Sequence, residues 1–200
     1  MLLVIDSATA ACSVALLGAD GAVLGDAHEI VGRGHAERLL PMIEAVLAGR
    51  RPDAILVDCG PGSFTGVRVG LAAAQGLAIG WGVPVTGYSS MALIAAASGE
   101  TEATVALTGG HGELFVQDYG GDPIAPLGDL RSLPPDAAAA ACPGALVLGS
   151  GARALVEARG AGEWRDALPR AAEAGALPPA LRSLRPKPIY GRGPDAKPMT

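Results

Sequence analysis

Residues 58–82 read DCGPGSFTGVRVGLAAAQGLAIGWG, and this stretch decides the fold. It follows Ile55-Leu56-Val57, a short apolar run of the kind that forms a buried strand. Pro61-Gly62 marks a tight turn, and Ser63 and Thr65 each offer a hydroxyl that can accept from a free N–H in a first helical turn. From Gly66 to Trp81 only Arg68 and Gln75 are polar. A helix so apolar around its circumference has to be covered on more than one side. Gly66, Gly70, Ala74 and Ala78 recur at four-residue spacing, with Val67 and Leu71 beside them. That stripe is small enough to admit another backbone, so helix-on-helix packing is expected. The cover would be the chain's own sheet on one side and a second protein on the other.

Upstream, Leu2–Ile5 and Cys12–Leu17 are apolar runs separated by a turn of small residues, and Asp20-Gly21 is a hairpin signal before a loosely alternating 22–30. Three antiparallel strands therefore open the chain. A helix over 35–48 carries Leu39, Leu40, Ile43, Val46 and Leu47 at helical spacing, and Pro41 inside it should kink or loosen its first turns. A strand at 54–57, the long helix, a strand at 83–86 and a helix over 89–97 complete the order βββαβαβα. A mixed sheet with helices on its faces accommodates that order. The polar break at 98–102 separates a first lobe, 1–100, from a second, 101–182. Strands at 103–107 and 114–119, a Pro-rich loop with one short strand over 122–135, a helix at 137–141, a strand at 145–148 and a helix at 152–159 make the second lobe a shortened echo of the first. The basic, Pro-rich tail 183–200 is expected to be partly disordered.

Half of the 200 residues are hydrophobic but only 4% are aromatic, so the core is aliphatic. A net charge of −5 counts against extended contact with phosphates by this chain alone. Cys12, Cys59 and Cys142 are far apart and odd in number, without a CxxC pair. They read as buried small hydrophobes in a reducing compartment. The opening residues lack a basic region and Asp6 interrupts their apolar run, so no signal peptide is expected, and the uncharged run 69–85 is slightly short of a membrane span and broken by Gly and Pro84, so it is expected to be buried in protein.

PGSFTGVRVG with its Ala/Gly-rich helix closely resembles the signature of the TsaB family of bacterial tRNA threonylcarbamoyladenosine biosynthesis proteins. LLVIDSATAACSVALL, HAERLLPMI, VPVTGYSS and the late Pro188-Ile189-Tyr190-Gly191-Arg192 are similar to the same family. The resemblance implies an α/β, actin-like (RNase H-like) fold of two lobes, the second reduced, and a cytoplasmic subunit without a complete active site. It implies pairing with TsaD and, with the ATPase TsaE, support of threonylcarbamoyl transfer to N6 of adenosine 37 in tRNAs reading codons that begin with A. The complex would use ATP and threonylcarbamoyl-adenylate, tRNA would meet this chain only indirectly, and a homodimer would form when TsaD is absent. One departure stands at 108–115, where Thr108-Gly109-Gly110-His111-Gly112 replaces the Asp and Arg that many members carry, leaving only Glu113 followed by apolar and aromatic residues.

Asp6-Ser7-Ala8-Thr9 occupies the turn that binds nucleotide phosphate in actin-like ATPases. The candidate cofactor residues are Asp6, Ser7 and Thr9. Ala8 stands where nucleotide-binding relatives usually have Gly, and its Cβ hinders close backbone approach. No matching loop exists in the second half, so a polar turn inherited with the fold is favoured and no cofactor is assigned to this chain alone. The glycine turn at 149–151 reads better as fold geometry than as an adenosine site. His35-Ala36-Glu37 cannot present an i, i+4 metal pair, and His28 and His111 stand apart, so no metal is expected. Gly62-Ser63-Phe64-Thr65-Gly66 is not a nucleophile elbow, and no catalytic residue is assigned. Pro61–Arg68 could hold an anion at a helix N-terminus, but a packing turn is favoured. The candidate partner interface is His35, Leu39, Met42, Arg68, Gly70, Leu71, Ala74 and Gln75 on the two first-lobe helices. An active actin-like kinase or ATPase and a self-sufficient homodimeric binding protein are the competing readings.

Overall fold

The structure, a computed structural model, describes residues 1–191. Alternation with a period of two decides the layering. In β1 (Leu2–Asp6) and β2 (Ala11–Leu17), Leu3, Ile5, Cys12, Val14 and Leu16 point to one side of the sheet, and Val4, Ala15 and Leu17 to the other. Both sides are apolar, so both must be covered. The first sheet runs in the order β3-β2-β1-β4-β5, with β3 at Val23–Ile30, β4 at Ala54–Asp58 and β5 at Val85–Tyr88. The β1–β2 and β2–β3 pairs are antiparallel, whereas β1–β4 and β4–β5 are parallel.

The second sheet repeats this arrangement. Its strands β6 (Glu102–Thr108), β7 (Leu114–Gly120), β8 (Ala125–Pro126), β9 (Arg131–Leu133), β10 (Leu146–Leu148) and β11 (Glu163–Arg165) lie in the order β11-β10-β6-β7-β8, with β9 also on β7. The β6–β7 and β7–β9 pairs are antiparallel, and β6–β10 and β10–β11 parallel. Strand for strand, order and sense match those of the first lobe. Two such sheets with their helices form the actin-like (RNase H-like) α/β fold.

Five layers result. Helices α1 (His35–Leu47) and α2 (Phe64–Trp81) lie side by side on the outer face of the first sheet. A central layer of α3 (Ser90–Ala97) and the short turns of 171–176 fills the space between the sheets, where Met91, Leu93 and Ala95 meet Val4, Leu56, Val105 and Phe115. The shortened α4 (Pro135–Ala141) and α5 (Ala152–Arg159) cover the second sheet. The two lobes thus share a core.

Ser63 caps α2, its side chain accepting from Gly66 N at 3.2 Å, while Thr65 lies within the helix. Helix α1 runs unbroken through Pro41, contrary to the loosening expected from the sequence. Pro41 and Glu37 are both exposed, so water can reach the carbonyl that lacks its N–H partner. The Pro-rich 122–135 segment holds two short strands rather than one, and β11 and 171–176 carry no periodicity that would have announced them.

Residues 184–191 return to the first lobe. Gly87 N donates to Leu184 O at 2.7 Å and Leu184 N to Gly87 O at 3.0 Å, which extends pairing beyond β5. Ile189 N donates to Cys59 O at 2.7 Å, and Gln75 Nε2 reaches Pro186 O at 3.4 Å. The rest of the tail, including Arg192, lies outside the described residues.

Candidate functional site

The C-terminal ends of β1, β4 and β5 converge beneath the start of α3. Asp6 closes β1 and Asp58 closes β4; both carboxyl groups are fully buried. Tyr88 OH donates to Asp6 Oδ2 at 2.9 Å, and Ser90 Oγ lies 3.3 Å from the same oxygen and in a short hydrogen bond with Asp58 Oδ1. Gly60 N donates to Asp58 Oδ1 at 2.6 Å and Ala8 N to Asp6 Oδ1 at 3.3 Å. Asp58 Oδ2 is buried without a hydrogen-bond partner. Burial pushes the Asp58 carboxyl up to about 7, and burial together with the Asp58 charge raises Asp6 well above the usual carboxylate range. The pair therefore retains a proton at pH values where a surface carboxylate has lost it.

The turn after β1 is occupied by the chain itself. Ser63 N donates to Ala8 O at 2.6 Å, and Ser7 Oγ donates to Gly66 O at 2.9 Å. Thr9 Oγ1 accepts from Ala11 N at 3.2 Å. A Cβ on Gly62 or Gly66 would collide with the carbonyl oxygens of Ala8 or Ser7, so glycine lets the start of α2 lie directly on this turn. Of the three phosphate-loop candidates, Asp6 and Ser7 are turned into the protein, and Thr9 remains at the edge of the cleft between the lobes. Across the cleft, Thr108 N donates to Ser150 Oγ at 3.1 Å and Gly109 N to Glu113 O at 2.8 Å, so these two amides are engaged internally.

The interface candidates separate into two sets. Leu39, Met42, Leu71 and Ala74 are buried against the chain's own sheet, which corrects the expectation that Leu39, Met42 and Leu71 face outward. Gly70 is buried over Ser7, whose Oγ lies 2.5 Å from where a Cβ would stand. The small-residue stripe thus meets the β1–β2 turn and the sheet rather than a partner helix. His35 is also buried; its Nε2 lies 2.9 Å from Thr9 O and 3.3 Å from Ala11 O and fixes the turn to α1. Arg68 and Gln75 are exposed, and both hold the returning segment, Arg68 through a 2.8 Å hydrogen bond from Nη2 to Tyr190 OH.

What the helix pair presents outward is different. Leu40 on α1 is 54% exposed and Ile79 on α2 is 84% exposed, with Pro41, Ala72, Gly76 and Gly80 also on the exposed side. Leu40 is legible in the sequence as an apolar residue but not as an outward one, because Leu39 and Leu40 are adjacent and both fit a helical stripe. Tyr88 and Ser90 lie in the VPVTGYSS block, but no sequence pattern joins them to Asp58, which, like Asp6, ends an apolar strand pattern. No helix among the described residues is long and apolar enough to cross a membrane, and no group of three or more His, Cys, Asp or Glu side chains is placed to hold a metal ion among them.

Comparison with known proteins agrees with this architecture. A family model described as TsaD, tRNA N6-adenosine threonylcarbamoyltransferase, matches residues 26–125. The tRNA threonylcarbamoyladenosine biosynthesis protein TsaB of Escherichia coli (strain K12) is 40% identical over 128 residues, 59% of this chain and 54% of that protein. The chain thus spans about half the length of this curated relative. YeaZ from Pseudomonas aeruginosa superposes with a TM-score of 0.74 at 32% identity, over 88% of this chain and 89% of that one. A second Pseudomonas aeruginosa structure, of an uncharacterized protein with similarity to peptidase YeaZ, gives a TM-score of 0.79 at 30% identity over 96% and 99% of the two chains. The chain belongs to the TsaB (YeaZ) family.

Proposed function

We propose that this chain is a partner subunit in tRNA threonylcarbamoyladenosine synthesis that works by docking, without chemistry of its own. The observation that carries this reading is the outward side of the α1–α2 pair. It presents Leu40 and Ile79 among small residues, on a chain whose phosphate turn is filled by its own backbone. Small residues let a partner helix approach closely, and exposed aliphatic side chains gain by burial. The partner is TsaD, meeting this face with two helices of its own in a four-helix arrangement. A second copy of this chain takes that place when TsaD is absent. TsaE, ATP and threonylcarbamoyl-adenylate belong to the assembled complex, in the cytoplasm, and tRNA contacts this chain only indirectly.

Ile79→Arg places a charge at the centre of the proposed contact. It should weaken TsaD binding by roughly tenfold or more and lower tRNA modification in a reconstituted mixture. Measured at a concentration where the chain is monomeric, its melting temperature should stay near that of the wild type, because Ile79 is exposed on the single chain. Unchanged affinity would place the contact elsewhere.

The kinase reading makes a different prediction. With the start of α2 lying on the first turn and Thr108 N and Gly109 N engaged across the cleft, isothermal titration of the isolated chain with Mg-ATP should show no saturable binding tighter than about 1 mM. A low-micromolar dissociation constant would support a nucleotide-dependent activity instead.

A further inference from the structure

The cleft between the lobes encloses a cavity of about 1270 Å³. Its end nearest the strand termini is closed, because Ser63 N is bonded to Ala8 O and the Asp6 carboxyl is buried beneath Tyr88 and Ser90. The start of α2 thus lies where a chain of phosphates would have to approach the β1–β2 turn. The walls are largely apolar, formed by Val67, Leu107, Phe115 and Ile189, with Phe64 and Tyr190 at the mouth. Polar groups lie around the rim, among them the hydroxyls of Thr9, Ser132 and Ser150.

Arg68 stands at this mouth. The Arg68 guanidinium carbon lies 3.1 Å from the centroid of the Phe64 ring and 5.6 Å from that of Tyr190. Among the described residues only its Nη2 is engaged by a protein oxygen, that of Tyr190, and no carboxylate pairs with it. A guanidinium carries five N–H donors, so most of its edge can still receive an anion. In a chain of net charge −5, an arginine with no carboxylate partner among the described residues, flanked by two aromatic rings beside an apolar cavity, defines both ends of a ligand.

We propose that the interlobe cleft is a binding site for a planar aromatic molecule bearing a single negative group, and that it rejects polyphosphates. The aromatic body enters between Phe64, Phe115 and Tyr190, where ring stacking and burial favour it. The anionic group receives charge-assisted hydrogen bonds from Arg68. This site is separate from the outward face of α1 and α2, and it stands whether or not that face docks TsaD.

Anilinonaphthalenesulfonate is an aromatic monoanion, and phenylnaphthylamine offers the same rings without the charge. The first probe should bind the full chain with one-to-one stoichiometry and enhanced fluorescence. Arg68→Ala should weaken it about tenfold while changing affinity for the neutral probe less than twofold. Ala10→Trp, at an exposed position on the cleft wall, should weaken both probes by a similar factor, with thermal melting confirming that the variant is folded. Leu168→Trp, on the same cavity wall, serves if Ala10→Trp does not fold. Millimolar Mg-ATP should displace neither probe. Binding of the sulfonate that is indifferent to Arg68→Ala, insensitive to a folded cleft-filling variant, or displaced by Mg-ATP would overturn the proposal.

Discussion

Gly66→Ala is expected to destabilise the protein by roughly 3 kcal/mol, a drop of about 6–12 °C in melting temperature for a chain of this length. The added methyl would be driven into the carbonyl oxygen of Ser7. Neither partner can yield cheaply. Ser7 is buried and its own hydroxyl is bonded to Gly66 O, so moving one backbone segment breaks the bond that joins them. Gly76 supplies the control. It lies on the exposed side of the same helix, and a methyl added there would meet nothing within 4 Å. There alanine should stabilise by about 0.5–1 kcal/mol, the ordinary helix-interior difference. Two Gly→Ala changes in one helix should thus shift melting in opposite directions. A Gly66→Ala protein melting like the wild type would show that α2 does not rest closely on the β1–β2 turn.

The second large effect concerns pH. Asp58 holds its proton up to about 7 in the folded chain, whereas an unfolded aspartate loses it near pH 4. Between those values the native state binds more protons than the unfolded state, so this pair contributes stability at low pH that is lost as pH rises through the folded pKa. Other carboxylates act in the opposite sense, and comparison with Asp58→Asn isolates the pair. The amide oxygen can keep the place of Oδ1, which accepts from Gly60 N. Relative to wild type, Asp58→Asn should gain on the order of 2 kcal/mol between pH 4.5 and 8.5, seen as a melting-temperature difference that grows by roughly 4–8 °C. The groups facing the pair are Tyr88, Cys12 and Cys59, whose own titrations are pushed upward, leaving the window clear. Parallel melting curves for the two proteins across that range would mean that the pair does not share a retained proton.

Much of the first lobe was legible because its elements announce themselves by period. The apolar runs of β1 and β2, the hairpin at Asp20-Gly21 and the stripe on α2 are local patterns, and the structure carries them at nearly the expected boundaries. The second lobe was legible as an echo, but its connections were not, since β8, β9 and β11 are two or three residues long and too short to show a period. Which way a helix faces was the harder question. An apolar residue such as Met42 or Leu71 fits an inner or an outer stripe equally well on a helix apolar all round, and only the position of the sheet decides. The Asp6–Asp58–Ser90 cluster joins residues 32 to 84 positions apart, beyond any local pattern. The segment 184–191 carries prolines and no alternation, so its pairing with Gly87 depends on an edge that only the folded sheet supplies.

That returning segment also fixes how the halves can move. The second lobe is joined to the first by the chain entering between Ala97 and Glu102, and again by the stretch that comes back to pair at Gly87 and Cys59. The 171–176 turns add a third tie, Ala171 N donating to Ser13 Oγ at 2.9 Å beside the shared core, so the halves are braced along the seam and not only at its ends. Lifting the returning segment away would strip the Leu184 and Ile189 hydrogen bonds from the first lobe. Phe64 and Tyr190 stand on opposite sides of the seam between helix and returning segment, 6.1 Å apart between ring centroids. A separation measured between those two rings therefore reports whether the latch is fastened.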